Sequence, residues 1–224
     1  MNAGRSIAAE ALGTALLVAV VVGSGIMGER LAVGNGAIAL LANTAATGAI
    51  LFVLVVSLAP VSGAHFNPAV TLVAVLRRQM TTAVGAQYVA AQVLGAIAGC
   101  LIANAMFELP LVQLASSART GPAQWLSEAM ATFTLLLAIQ ATAVRGHVVA
   151  AAAVAMTITA GYWFTASTSF ANPAVTVGRS LSDTFAGIAP ADVAAFIVAQ
   201  VAGAIASLAV ASYLFVLPRV RESS

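Results

Sequence analysis

The chain has 224 residues, of which 61% are hydrophobic and only 7% charged, with a mean hydropathy of +1.02 and a formal net charge of +2. Soluble domains carry roughly 25% charged residues, so this composition excludes a soluble globular protein, a disordered chain and a nucleic-acid-binding protein. A membrane-spanning helix needs about 20 largely apolar residues, so the length accommodates about six spans and no separate soluble domain. Stretches without Asp, Glu, Lys or Arg cover 31–76, 79–107, 146–178 and 193–218.

In chain order, the apolar pattern predicts six spans and two shorter helices. The predicted spans are residues 7–28, 36–58, 82–106, 123–144, 147–165 and 191–217. The shorter helices begin at Asn67-Pro68 and at Asn172-Pro173, where Asn is a favoured N-cap and Pro a favoured first helical residue. Each extends for about 11 residues, or ~16 Å, which is half of the ~30 Å hydrocarbon core. We therefore expect half-helices, each preceded by irregular backbone.

The chain repeats itself in the same order in its two halves. The matching pairs are 67–71 with 172–176, 91–98 with 199–206, and Glu10 with Glu128. Because each half contains three spans, an odd number, the second half must lie upside down relative to the first, as in many channels and transporters. The sequence thus predicts a single transmembrane domain built from inverted halves, about 1–110 and 120–224.

The distribution of arginine predicts the orientation. With the N-terminus inside, six arginines face the cytoplasm and three face outward, in agreement with the positive-inside rule. The inner set is Arg5, Arg77, Arg78, Arg145, Arg219 and Arg221, and the outer set is Arg30, Arg119 and Arg179. Both termini are therefore expected to be cytoplasmic.

The two half-helices enter from opposite sides, so their N-termini should meet near the midplane. Each N-terminus carries about half a positive charge from aligned peptide dipoles, which repels cations and hopping protons. The amides of Asn67 and Asn172 offer donors there, and the carbonyls of 63–66 and 168–171 offer acceptors along the path. This pattern indicates a route for small neutral hydroxylated molecules.

These motifs resemble the aquaporin/aquaglyceroporin (major intrinsic protein) family over essentially the whole chain. The motifs that carry the resemblance are Asn67-Pro68-Ala69, Asn172-Pro173-Ala174 and the preceding Ser62-Gly63-Ala64-His65. The resemblance implies an all-α membrane protein with six transmembrane helices and two half-helices, assembled as a homotetramer. It also implies that the pore is lined by Gly63, Ala64, His65, Phe66, Thr168, Phe170 and Ala171.

The resemblance also places a selectivity filter. Its positions fall on Thr47, on Ala160 (or Gly161 if the alignment shifts by one residue), on Ser169 and on Val175. Val175 stands where water-selective members carry Arg, and Thr47 where they carry an aromatic residue. Thr176 stands where aquaglyceroporins usually carry Asp. The implied filter is wide and uncharged, similar to that of arsenic-resistance aquaglyceroporin-like members that lack the filter Arg.

Three polar positions have two interpretations each. Glu10 and Glu128 are either proton-coupling groups or symmetry-related acceptors for the backbone beside the half-helices, and the structural role is favoured. His65 either gates with pH or packs in the loop and lines the path, and the second is favoured. Arg179 lies one helical turn beyond Val175 and either replaces the missing charge or extends to the headgroups, and the second is favoured.

The expected function is passive conduction of water and small neutral solutes such as glycerol, urea or undissociated arsenite. The alternative is an ion-coupled secondary transporter, since inverted repeats with broken helices also build those. The sequence contains no nucleophile–base pair and no metal-ligand cluster, so we expect no enzymatic activity, cofactor or metal. The expected location is a bacterial inner membrane, and the partners are the bilayer and the solutes, without nucleic acid.

Overall fold

A computed structural model describes residues 3–215, and this part of the chain is all-helical without a strand. The helices are α1 Ala3–Ala32, α2 Gly36–Ser62, α3 Pro68–Leu76, α4 Thr82–Met106, α5 Pro122–Thr142, α6 His147–Phe164, α7 Pro173–Arg179 and α8 Pro190–Leu214, with a short 3-10 turn at Ala143–Arg145. Six of the elements are long and apolar enough to cross a membrane. The predicted six spans and two half-helices are thus confirmed.

Several helix boundaries differ from the predicted ones. The helix α2 continues through Pro60 to Ser62, and Gly63 caps it in the left-handed conformation with φ +88°. The half-helices have nine and seven residues instead of about 11. The predicted end of the last span at residue 217, and Arg219 and Arg221 with it, lie outside the described residues.

The helices pack as an inverted repeat. In the first half α1 packs against α2 and α4, and in the second half α5 packs in the same way against α6 and α8. The halves meet through α2 and α6, and each half-helix contacts the last long helix of both halves. Glycines permit the closest crossings, because a side chain at Gly95 would collide with the carbonyl of Ala11, and one at Gly203 with that of Ala129.

The half-helices start inside the bundle and end on opposite faces. The helix α3 runs back toward the face where α1 begins, which we call the near face, and α7 runs to the opposite, far face. The connection 107–121 crosses the far face, where the backbone N–H of Ala115 donates to the carbonyl of Ser180 at 3.0 Å. The N-termini of α3 and α7 are consequently brought together at the centre.

Candidate functional site

Asn67 and Asn172 join the two half-helices by reciprocal hydrogen bonds. Each caps its own helix, because its Oδ1 accepts the backbone N–H two residues later. Each also crosses to the other half: Asn67 Nδ2 donates to the carbonyl of Ala171, and Asn172 Nδ2 to the carbonyl of Phe66, both at 2.8 Å. An amide nitrogen has two N–H donors. The second donor of each Asn makes no hydrogen bond to a described residue, and both side chains line the cavity described below.

The segments before the two Asn residues have an unusual backbone that the repeat preserves. Ala64 and Phe66 have φ values of +50° and +47°, and their counterparts Ser169 and Ala171 have +54° and +48°. Such left-handed conformations cost about 1–3 kcal/mol at each non-glycine residue and persist only because the surrounding contacts enforce them. Their effect is to leave the carbonyls of 63–65 and 168–170 without a donor from the described part of the chain.

Glu10 stabilises the first of these segments. Its Oε1 accepts the backbone N–H of His65 at 2.9 Å and the hydroxyl of Ser62 at 2.7 Å. Its Oε2 accepts the backbone N–H of Phe66 at 2.7 Å and Nε2 of Gln92 at 2.8 Å. Four donors therefore converge on one carboxylate, and they tie the loop to α1 and α4.

Glu128 makes the matching contacts in the second half, with one donor fewer. Its Oε1 accepts the N–H of Phe170 at 2.9 Å, and its Oε2 accepts the N–H of Ala171 at 2.9 Å and Nε2 of Gln200 at 2.7 Å. Both glutamates are 0% exposed, and neither is among the cavity-lining residues. These contacts support the structural role over proton coupling.

A cavity of about 200 Å³ lies between the half-helices. It extends from Arg77 and Gln79 on the near-face side, past both Asn residues, to Tyr162 and Arg179 on the far-face side. The expected pore and filter residues that line it are Thr47, Gly63, Ala64, His65, Phe66, Ser169, Phe170, Ala171 and Val175.

Two of the expected lining positions are wrong. Ala160 is exposed on the outside of α6, and Gly161 packs against Ser169 without reaching the cavity. The residue of α6 that lines the cavity there is Tyr162, whose hydroxyl lies 3.2 Å from Oγ1 of Thr47. Thr168 is not among the residues that line the cavity either, although the next residue, Ser169, is.

The favoured interpretation of Arg179, extension to the headgroups, is also wrong. Arg179 is only 2% exposed and lines the cavity near Val175. Its Nε donates to the carbonyl of Ala186, and its Cζ lies 3.3 Å from the centroid of the Phe170 ring. The far end of the cavity therefore contains a guanidinium and a tyrosine, and is neither uncharged nor free of aromatic residues.

The hydrogen bonds around His65 define its neutral tautomer. Thr71 Oγ1 accepts Nε2 of Gln92 at 3.0 Å and lies 3.0 Å from Nδ1 of His65. The matching Thr176 hydroxyl donates to the carbonyl of Asn172, but Thr71 has no such bond. The Thr71 hydroxyl is therefore assigned as the donor to Nδ1 of His65, so the neutral ring carries its single N–H at Nε2.

An inverted helical repeat with two central half-helices and a cavity along its axis is typical of membrane channels and transporters. The family model of the major intrinsic proteins matches residues 1–162. The chain belongs to this family of membrane channels for water and small neutral solutes, and it is an integral membrane channel rather than an enzyme.

Individual relatives agree with this assignment. The chain is 53% identical to aquaglyceroporin AqpS of Rhizobium meliloti over 98% of its own length and 95% of that protein. It is 31% identical to aquaporin NIP2-1 of Zea mays over 82% of its own length and 64% of that protein. The solved structure of the aquaglyceroporin from Plasmodium falciparum has the same fold, with a TM-score of 0.74 at 22% identity and 95% coverage of both chains.

The donors around the two glutamates predict that glutamine is tolerated better than leucine. A Gln amide at position 10 can turn its NH2 group toward the Ser62 hydroxyl, which can accept, so that only the N–H of His65 loses its acceptor. At position 128 the NH2 group can face the single donor on Oε1, the N–H of Phe170. We therefore expect Glu10→Gln and Glu128→Gln to retain much of the folded, water-permeable protein. Leu at either position strands buried donors at about 1–3 kcal/mol each and should lower folded yield most.

The measurement is the monodisperse yield in detergent, followed by water permeability per reconstituted protein. Well-folded Gln variants that have lost all flux would contradict the structural role and indicate a direct part in transport.

Proposed function

We propose that this chain is a passive channel for water and small neutral solutes, with glycerol, urea and undissociated arsenite as candidate solutes. The observation that carries the proposal is one continuous cavity that has Arg77 at one end, Asn67 and Asn172 at its centre and Arg179 at the other end. The 53% identity to an aquaglyceroporin over nearly the full length supports solutes larger than water.

The polar groups along the cavity suit neutral hydroxylated solutes. Asn67 and Asn172 provide donors at the centre, and the carbonyls of 63–65 and 168–170, which accept no hydrogen bond from a described residue, provide acceptors on either side. The remaining wall is largely apolar, with residues such as Leu51. A solute that both donates and accepts can replace its water contacts with these groups as it passes in single file.

The charges of the lining support the exclusion of cations and protons. The cavity is lined by two arginines and by no aspartate or glutamate among the described residues. The N-termini of α3 and α7 both point at the centre, so their dipoles add to this positive potential. A cation that enters would lose part of its hydration shell, and no carboxylate of the described lining would compensate for that loss.

The residues at the far end form the filter in this proposal. Thr47, Tyr162, Ser169 and Val175 line this end, and Val175 occupies the place of the Arg that narrows water-selective members. The absence of that side chain supports a wide opening. The hydrogen bond between Tyr162 and Thr47 links α6 to α2 beside the path.

The near face is the cytoplasmic side of a bacterial inner membrane in this proposal, and the channel is a homotetramer with a pore in each subunit. Among the described residues the near face has four arginines and the far face three, which agrees with cytoplasmic termini. The bacterial relative supports the location, and family membership supports the assembly.

The secondary transporter is the competing function, and ion gradients separate the two. A transporter coupled through its buried acids would need Glu10 or Glu128 on the substrate path, but both lie outside the cavity lining. We expect solute flux in proteoliposomes to run downhill and to be unchanged by an imposed proton or sodium gradient. The measurement is stopped-flow light scattering with a panel of neutral solutes, with empty liposomes as the control. Accumulation of a solute against its concentration under an ion gradient would establish the transporter instead.

Val175→Arg tests the position of the filter. The new side chain would add bulk and a charge that stays on at neutral pH, one turn from Arg179. We expect most water permeability to remain, whereas glycerol, urea and arsenite permeability should fall at least roughly tenfold, equivalent to ~1.4 kcal/mol. Val175→Leu is the matched control, because it adds bulk without charge. Unchanged flux of the larger solutes in Val175→Arg would show that Val175 does not line the narrowest part.

A further inference from the structure

Arg179 presents two unused pairs of donors to the far end of the cavity. Its side chain is held by the hydrogen bond from Nε to the carbonyl of Ala186 and by stacking on Phe170. Nη1 and Nη2 make no hydrogen bond to a described residue, and neither is sealed inside the protein. A buried guanidinium with open donors beside a solute path is costly unless the path supplies acceptors.

The ring under Arg179 is itself fixed. Phe170 packs edge-on against Phe196, with centroids 5.3 Å apart. The guanidinium of Arg119 lies 5.0 Å from the same ring, and it donates to the carbonyls of Gly187 at 2.7 Å and Ser167 at 3.2 Å. The position of Arg179 is thus determined by two loops and a buried aromatic pair, which limits its freedom to swing outward.

This arrangement occurs in only one half of the repeat. Aligning Asn67 with Asn172 places Ala74 opposite Arg179, and His65, which packs edge-on against Tyr88 at 5.5 Å, opposite Phe170. The aromatic pair is therefore common to both halves, whereas a guanidinium stacked on that pair is found only at the far end among the described residues. A purely structural requirement of the repeat does not account for it.

We propose that Arg179 is a specificity-determining residue that selects neutral solutes with two neighbouring hydroxyl oxygens and turns away cations. The proposal rests on the channel function above. A guanidinium offers parallel N–H groups in a rigid fork that fits paired oxygens. Glycerol and undissociated arsenous acid present such pairs, but urea presents a single acceptor oxygen. The positive charge of Arg179 lies one helical turn beyond Val175, which leaves the usual filter position uncharged.

Three variants in proteoliposomes test this assignment by two readouts, the glycerol-to-urea permeability ratio and the cation leak. Arg179→Met removes both the positive charge and the paired N–H donors. It should lower the glycerol-to-urea permeability ratio and raise the cation leak, each by roughly tenfold, equivalent to ~1.4 kcal/mol. Arg179→Lys keeps the charge and should lower the ratio without raising the leak. Arg30→Met is the control, because Arg30 lies over the Phe107 ring at 5.2 Å on the exposed surface and should change neither readout.

The ratio in Arg179→Lys decides the outcome if Arg179→Met does not fold. A ratio equal to that of the parent in either folded variant, with solute flux retained, would overturn the selection of paired hydroxyls by Arg179. An unchanged leak in Arg179→Met would overturn its part in excluding cations. Both results leave the channel function intact, whereas a parent protein without any solute flux would remove that function and this proposal with it.

Discussion

The exchange of hydrogen bonds between Asn67 and Asn172 is the constraint on which the rest of the structure depends. Each amide donates to the carbonyl that precedes the other Asn, so neither half-helix can shift without breaking a contact in both halves. Because the cap and the cross-link use the same side chain, helix start and pore centre coincide. The two buried glutamates then hold the left-handed segments that lead into these caps.

The same arrangement explains how a polar path survives inside an apolar bundle. Glu10 and Glu128 satisfy the N–H groups of the irregular segments from behind, away from the cavity. The carbonyls of 63–65 and 168–170 accept no hydrogen bond from a described residue. Irregular backbone at membrane depth is tolerated where it lines a polar cavity or is packed by protein, and these segments line the cavity. Negative and positive side chains lie in different places. The carboxylates of Glu10 and Glu128 lie outside the cavity lining, whereas Arg77 and Arg179 line the cavity.

The fold could be predicted from the sequence because its signals are local and duplicated. Asn-Pro before a short apolar run predicts a helix start, and two copies in a chain with three spans per half predict opposed half-helices. The pairing of Glu10 with Glu128 predicted their loop contacts, and the structure has those hydrogen bonds. Helix ends were less predictable, since α2 continues past Pro60 and ends only at the left-handed Gly63.

The far end of the cavity could not be predicted by counting from Asn172. Counting from Asn172 gives the distance along the chain, but the packing of α6 against α2 sets which face of α6 points inward. That face contains Val154, Ile158 and Tyr162, and not Ala160. The buried position of Arg179 could not be predicted, because it depends on a hydrogen bond to the carbonyl of Ala186. Ala186 lies beyond α7, in a loop whose position beside Arg179 has no sequence signal. The spacing of four residues from Val175, which places both on one helix face, was the one available indication.

A single thiol placed in the cavity tests most directly whether solutes pass through it. Cys100 is the only cysteine and is 0% exposed, so the parent should be insensitive to small thiol reagents. Ser169→Cys puts a side chain of similar size on the cavity wall, and Ala118→Cys puts one on the exposed far-face connection. If solutes pass through the cavity, a methanethiosulfonate reagent should reversibly abolish water and solute flux through Ser169→Cys and leave labelled Ala118→Cys active. Full flux through Ser169→Cys after complete labelling would contradict conduction through this cavity.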